Sequence, residues 1–159
     1  MTRPKPERPT PDTRADYPHR RVLPTRWNDN DVYGHVNNAV YYELFDTVVN
    51  RWLIERGLLT LGESETVGLV VETNCHYFAP LEFPNDVTAG LRVAHIGNSS
   101  VRYEIGLFGE GEDTAARGHF VHVYVNEKTR RPVRISATFR KCLETLQTGL
   151  RDRRDPPSG

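Results

Sequence analysis

The chain has 159 residues, with 21 Lys plus Arg set against 21 Asp plus Glu and a formal net charge of zero. That length fits one domain with room for a real core, and the balanced charge lacks the basic excess that would point to nucleic acid. No apolar run reaches the ~18 residues that would suggest a membrane span, and the two cysteines, Cys75 and Cys142, are far apart with no disulfide framework or metal spacing.

Residues 1–18, MTRPKPERPTPDTRADYP, are rich in proline and charge and are expected to form a disordered tail. They carry basic residues but no apolar centre, so they do not read as a secretory leader, and the expected compartment is the cytoplasm. The folded domain is expected over residues 19–150, followed by a second disordered tail at 151–159, RDRRDPPSG.

Arg21-Val22-Leu23, leading through Pro24 to Arg26-Trp27, reads as a first strand near a sheet edge, because proline cannot donate to a ladder. The polar segment Asn28-Asp29-Asn30-Asp31 and the turn at Gly34 then lead to Asn37 and Asn38, either of which suits a helix N-cap. Tyr41, Leu44, Phe45, Val48, Val49, Trp52 and Leu53 recur at three-and-four spacing and predict a helix over 39–56, with Gly57 as its stop. From Val67 the period becomes two. Val67, Leu69, Val71, Cys75 and Tyr77 form one alternating run, Val87 to Val93 a second, Val101 to Leu107 a third, and Val121, Val123 and Val125 a fourth. Gly97-Asn98-Ser99-Ser100 is a hairpin signal. Ser136 suits the cap of a short terminal helix carrying Phe139, Leu143 and Leu146 on one face. Strand, long helix, hairpin-linked strands and a last helix predict an α+β fold in which a curved antiparallel sheet wraps one long helix.

The chemistry concentrates ahead of the long helix. Asp31 stands just before a helix start, where unpaired backbone amides and the positive end of the helix dipole can polarise a carbonyl. An ionised aspartate there can attack that carbonyl or activate water. The plainer reading gives Asp29 and Asp31 only turn and capping roles, and Asp29 is expected to be structural. His35 can orient substrate or move a proton near neutral pH. Glu43 on the helix is a lesser candidate, and the Asp29, Asp31 and His35 set departs from a calcium loop because its twelfth position is Val40.

The string Asp29-x-Asp31-x-x-Gly34-His35-Val36-Asn37-Asn38-x-x-Tyr41 resembles the 4-hydroxybenzoyl-CoA thioesterase-like branch of the hotdog-fold acyl-CoA thioesterases. The resemblance spans residues 20–146 or so and implies a hotdog fold, hydrolysis of an acyl-CoA to free acid and CoA, and no cofactor or metal. It makes Asp31 the catalytic carboxylate and the Asn38 amide the donor that polarises the carbonyl. It also implies an active site at a dimer interface, so the expected assembly is a homodimer or a dimer-based tetramer. Around that centre, Gly34 and Asn37, the Gly97, Asn98, Ser99 and Ser100 turn, and Arg102 are the expected substrate contacts, with Lys128, Arg130 and Arg131 a basic cluster that reads more simply as a solvated turn. Acyl-CoA is the expected partner, with no nucleic acid and no membrane. The alternative function is a non-catalytic acyl-CoA-binding protein on the same fold.

Overall fold

The computed structural model describes residues 2–147. Helix α1, Asn38–Glu55, forms as the apolar spacing predicts: Asn37 is its cap, its side chain accepting from the Ala39 N–H at 3.0 Å. Its 18 residues span about 27 Å at 1.5 Å per residue, enough to cross a small domain. Gly57 stops it in the left-handed region at φ 72°, which glycine adopts without a Cβ penalty. Tyr41, Leu44, Phe45, Val48, Val49, Trp52 and Leu53 form the buried face.

That face lies on a five-stranded sheet. In chain order the strands are β1 His19–Leu23, β2 Thr66–Tyr77, β3 Val87–Ile96, β4 Ser100–Phe108 and β5 Ala116–Asn126. Their spatial order is β1-β3-β4-β5-β2, and every pairing is antiparallel. Val87, Ala89, Leu91 and Val93 of β3 and Val101, Tyr103, Ile105 and Leu107 of β4 are all buried, as the period-two pattern predicts. Helix α2, Ala137–Glu144, is capped by Ser136, whose hydroxyl accepts from the Phe139 N–H, and Leu143 and Leu146 are buried. The expected α+β arrangement is therefore present.

Four expectations need correction. The first strand ends at Leu23, and Trp27–Asn30 belongs to a 3₁₀ turn and its cap rather than to a strand. On β5 the inward set is Phe120, His122 and Tyr124, not Val121, Val123 and Val125 as a whole. The aromatic rings win because α1 presents rings: Phe120 lies 5.7 Å from Phe45 and 6.4 Å from Tyr42, centre to centre. On β2 the simple alternation fails, because the register with β5 shifts between Val70 and Glu72 and the pleat changes face there. No residue of β2 is fully buried.

The fourth correction concerns the start of the chain. Contacts with the sheet begin at Thr10, whose carbonyl accepts from Arg117 at 3.0 Å, well before residue 19. Tyr17 is buried against the sheet face opposite α1, where Gly90 and Gly106 supply the room: a Cβ on either would lie 2.6 Å from its ring. Arg92 stacks on that ring at 4.4 Å and bonds both Asp12 at 3.0 Å and Glu104 at 2.9 Å. Arg117 adds a second bond to Asp12 at 3.1 Å. A segment that reads as polar and proline-rich is thus anchored by the Tyr17 ring and the Asp12 carboxylate, with bonds from Thr114 N–H to the Asp12 carbonyl and from the Arg14 guanidinium to the Gly109 carbonyl beside them. The expected tail at 151–159, and the end of the domain at 148–150, lie outside the described residues.

Candidate active site

The loop between β1 and α1 is built from its own backbone. Asp29 is buried, accepts from the Arg26 backbone N–H at 2.7 Å, and pairs with the Arg26 guanidinium at 2.9 Å. Its carbonyl accepts from Asn37 N–H at 2.8 Å, so it holds the two ends of the loop together. Asn30 fixes the loop to the segment after β2 through its side-chain oxygen, which accepts from Phe83 N–H at 3.0 Å, and Val36 N–H donates to the Leu81 carbonyl at 2.8 Å.

Asp31 sits inside this frame. Its N–H donates to the His35 carbonyl at 2.8 Å, and its carbonyl accepts from Gly34 N–H at 3.1 Å. One carboxylate oxygen accepts from Tyr33 N–H at 2.8 Å, which orients the group. Gly34 completes the turn at φ 83°. Asp31, Gly34, Asn37 and Asn38 line one open depression together with Trp27 and Tyr33. His35 contributes its carbonyl to the loop, and its side chain is exposed and does not line the depression.

Below the loop lies Tyr41, which the motif contains but whose place only the fold reveals. It is buried and meets Tyr77 edge to face at 4.9 Å. Burial raises the pKa of its hydroxyl, and the nearby Cys75 and the Asp31 carboxylate raise it further against an opposing bond with the Leu81 backbone. The Asp31 charge is therefore close enough to be felt by a phenol that stays protonated. Tyr77, half exposed at the end of β2, places its hydroxyl 3.5 Å from the Asn38 carbonyl.

The remaining expected contacts lie elsewhere in the protomer. The turn Gly97, Asn98, Ser99 and Ser100 joins β3 to β4 at the opposite end of the sheet from the Asp31 loop. The separation is roughly the length of β4, about 30 Å at ~3.3 Å per residue. It is tied there by Tyr124 N–H to Ser99, Ile135 N–H to Asn98 and the Arg140 guanidinium to Gly97, all at carbonyl oxygens. Arg102 lies on the sheet face away from α1, 3.3 Å from His119 and 3.8 Å from Glu104. Among the described residues, no group of three His, Cys, Asp or Glu could hold a metal ion, and no helix is long and apolar enough to cross a membrane.

A sheet wrapped on one long helix, with an aspartate-bearing loop at that helix's start, defines the hotdog thioesterase class. The chain belongs to the thioesterase-like superfamily, whose family model matches residues 25–143. The PA5185 protein of Pseudomonas aeruginosa strain PAO1 is 50% identical, with a TM-score of 0.85 over 88% of this chain and 99% of that one. A thioesterase of Thermus thermophilus, solved with coenzyme A and Zn, is 29% identical at a TM-score of 0.71, covering 83% and 96% of the two chains. The 1,4-dihydroxy-2-naphthoyl-CoA thioesterase Slr0204 of Synechocystis shares the fold at a TM-score of 0.72 and 14% identity, over 80% and 96%. No curated protein matches the chain.

Proposed function

We propose that the protein hydrolyses acyl-CoA thioesters to the free acid and CoA, using Asp31 and the start of α1. The observation that carries this reading is the single depression lined by both Asp31 and Asn38. Asn37 occupies the Ala39 amide with its side chain and the Val40 amide with its carbonyl. The Asn38 amide, at the first helical position, is the donor assigned to the thioester oxygen. As negative charge grows on that oxygen, the amide and the helix dipole stabilise it. Asp31 either adds to the carbonyl carbon, expelling the CoA thiolate and forming an anhydride that water then cleaves, or takes a proton from water as that water adds. In both routes the C–S bond breaks, the thiolate gains a proton, and water supplies the new acid oxygen. The relative from Thermus thermophilus, whose structure contains coenzyme A, supports a CoA ester as the substrate class.

The working unit we assign is a two-fold homodimer joined along β2. That strand pairs with β5 on one side only, and its free edge carries Leu69, Val70, Val71 and Tyr77, each 39–61% exposed. Phe120 and Tyr124 of the neighbouring β5 add nothing to this patch, since both rings are in the core. Trp27, Val32 and Tyr33 of the loop are 82–94% exposed and would gain cover from a partner. Two copies of one edge strand related by a two-fold axis run antiparallel. That pairing sets the Asp31 loop of one protomer at the end of the sheet where its partner has the Gly97–Ser100 turn. Light scattering at micromolar concentration is expected to give a dimer or a multiple of it; a monomer that hydrolyses acyl-CoA at full rate would refute the shared site.

In this arrangement the turn's other amides and Arg102 can serve the CoA phosphates of the partner's site, the Gly97 N–H being held by the Ser100 carbonyl. Arg102→Ala is then expected to raise KM more than it lowers kcat, because phosphate binding remote from the bond that breaks is largely uniform binding. Steady-state kinetics that leave KM unchanged would return Arg102 to its structural contacts with His119 and Glu104. The reaction itself is tested by thiol release from a panel of short, long and aromatic acyl-CoAs, and binding of acyl-CoA without any hydrolysis would favour a binding protein.

A further inference from the structure

A second cavity, of about 370 Å³, lies apart from the Asp31 depression, between the C-terminal part of α1, the start of α2 and the Gly68–Tyr124 end of the sheet. Its walls are mixed, with Leu53, Leu58, Leu59, Ile135 and Phe139 on the apolar side and Asn50, Thr66 and Ser136 among the polar lining. Its polar centre is His122, which is 4% exposed. Neither ring nitrogen of His122 has a hydrogen-bond partner among the described residues.

The surroundings make that histidine unusual. Buried polar groups are normally bonded, and the neighbouring hydroxyls of Tyr103 and Tyr124 satisfy each other at 2.6 Å. The imidazole is clamped between Tyr103 at 5.1 Å and Phe120 at 5.7 Å, so it has little freedom to turn toward another partner. Its Nδ1 faces Gly68, and a Cβ there would come within 3.1 Å of it. Both ring nitrogens are closed off from solvent, and the missing side chain at Gly68 leaves only a methyl-sized gap beside Nδ1, where the cavity meets β2. Burial keeps the ring neutral, with its pKa lowered to about 4, so it offers one N–H donor and one lone pair. Arg134, the cation in the lining, is exposed.

We propose that this cavity receives the distal end of the acyl group and selects chains that carry a neutral oxygen function there, a hydroxyl or keto group, with His122 as its hydrogen-bond partner. The proposal rests on the thioesterase reading above, and the two-fold pairing along β2 explains the delivery: it brings the partner's Asp31 loop to the end of the sheet where this cavity opens. The leucine, isoleucine and phenylalanine side of the wall suits the methylene chain, and a neutral imidazole suits an uncharged oxygen better than a carboxylate, whose charge would be stripped of water.

The test compares kcat/KM for matched medium-length straight-chain acyl-CoAs with and without a terminal hydroxyl. The unmodified protein is expected to favour the hydroxylated chain by at least about tenfold, since a site with an unpaired buried polar group discriminates against the ligand that leaves it unpaired. His122→Phe is expected to abolish that preference. Gly68→Ala is expected to abolish it too, by placing a methyl group 3.1 Å from both Nδ1 and the Tyr124 ring, and it provides a second variant if the first misfolds. Equal rates for the pair in the unmodified protein, or a preference that survives in both variants, would overturn the proposal while leaving the hydrolysis reading intact. The converse case is separated by NMR of the His122 ring with the free ω-hydroxy acid and the plain acid as probes. A shift with the hydroxy acid alone would uphold the cavity even if no acyl-CoA were hydrolysed, and no shift with either would sink it.

Discussion

Asp31→Asn is expected to lower thioester hydrolysis at least ~10²-fold without unfolding the protein, the scale of losing a positioned base or nucleophile. The side-chain oxygen of the amide can still accept from Tyr33 N–H, so the turn survives. What it loses is the ability to attack a carbonyl or take a proton. The Asn38 amide and the helix dipole remain, so some catalysis should persist and acyl-CoA should still bind. Asp29→Asn makes the contrast. Its carboxylate is buried against Arg26 and its carbonyl anchors Asn37, so that variant should lose stability first and rate only through the loop. Kinetics and a denaturant melt on both variants decide the matter: an active Asp31 variant beside a folded but inactive Asp29 variant would overturn the assignment. Normal rates in both would move attention to His35, or to Glu43, which lies 3.5 Å from Arg26 on the flank of α1.

The residues that were legible in the sequence are those whose role is local. The α1 face followed from spacing alone, because an amphipathic helix has to bury one stripe whatever lies opposite it. A cap at Asn37 or Asn38 and the hairpin at Gly97 followed from side-chain and turn chemistry within a few residues, and the structure chooses Asn37. Strand β5 was misread because Val and Phe are both good strand residues, and only the rings of Phe45 and Tyr42 opposite decide which set faces inward. The β2 register shift leaves no mark in a single strand, since it is a property of the pair. The site divides in the same way. The Asp31 loop is one continuous string and could be read as a unit. The place of the Gly97–Ser100 turn and Arg102 depends on how strands are ordered across the sheet. The His122 cavity joins Gly68, His122 and Phe139, residues that no spacing rule connects.

Removing the ring of Tyr17 is expected to destabilise the protein by about 3–5 kcal/mol, the usual range for truncating a large buried aromatic. Tyr17 is 1% exposed, lies over Gly90 and Gly106, and meets Phe108 edge to face at 5.8 Å. With alanine at that position the ring of Phe108 and the stem of Arg92 would lose their cover. Tyr17→Phe should cost only about 1 kcal/mol, because it keeps the packing and removes one hydrogen bond, to Asp12 at 2.9 Å. A chain beginning at His19 should fall at least as far as Tyr17→Ala, since it also takes Asp12 from the buried Arg92 and leaves that cation with Glu104. The same segment predicts an acid dependence. Burial by itself would raise the pKa of Asp12, but Arg92 and Arg117 outweigh it and hold the carboxyl below its ordinary value of 3.8. A group lowered in the folded state stabilises it above the ordinary pKa, and that contribution is lost as the pH falls through the folded one. Asp12→Asn should therefore lower stability at neutral pH and flatten the loss seen below about pH 4. Denaturant midpoints measured across that range check both statements, and a chain lacking residues 2–17 that melts like the full protein would refute the anchoring role of the segment.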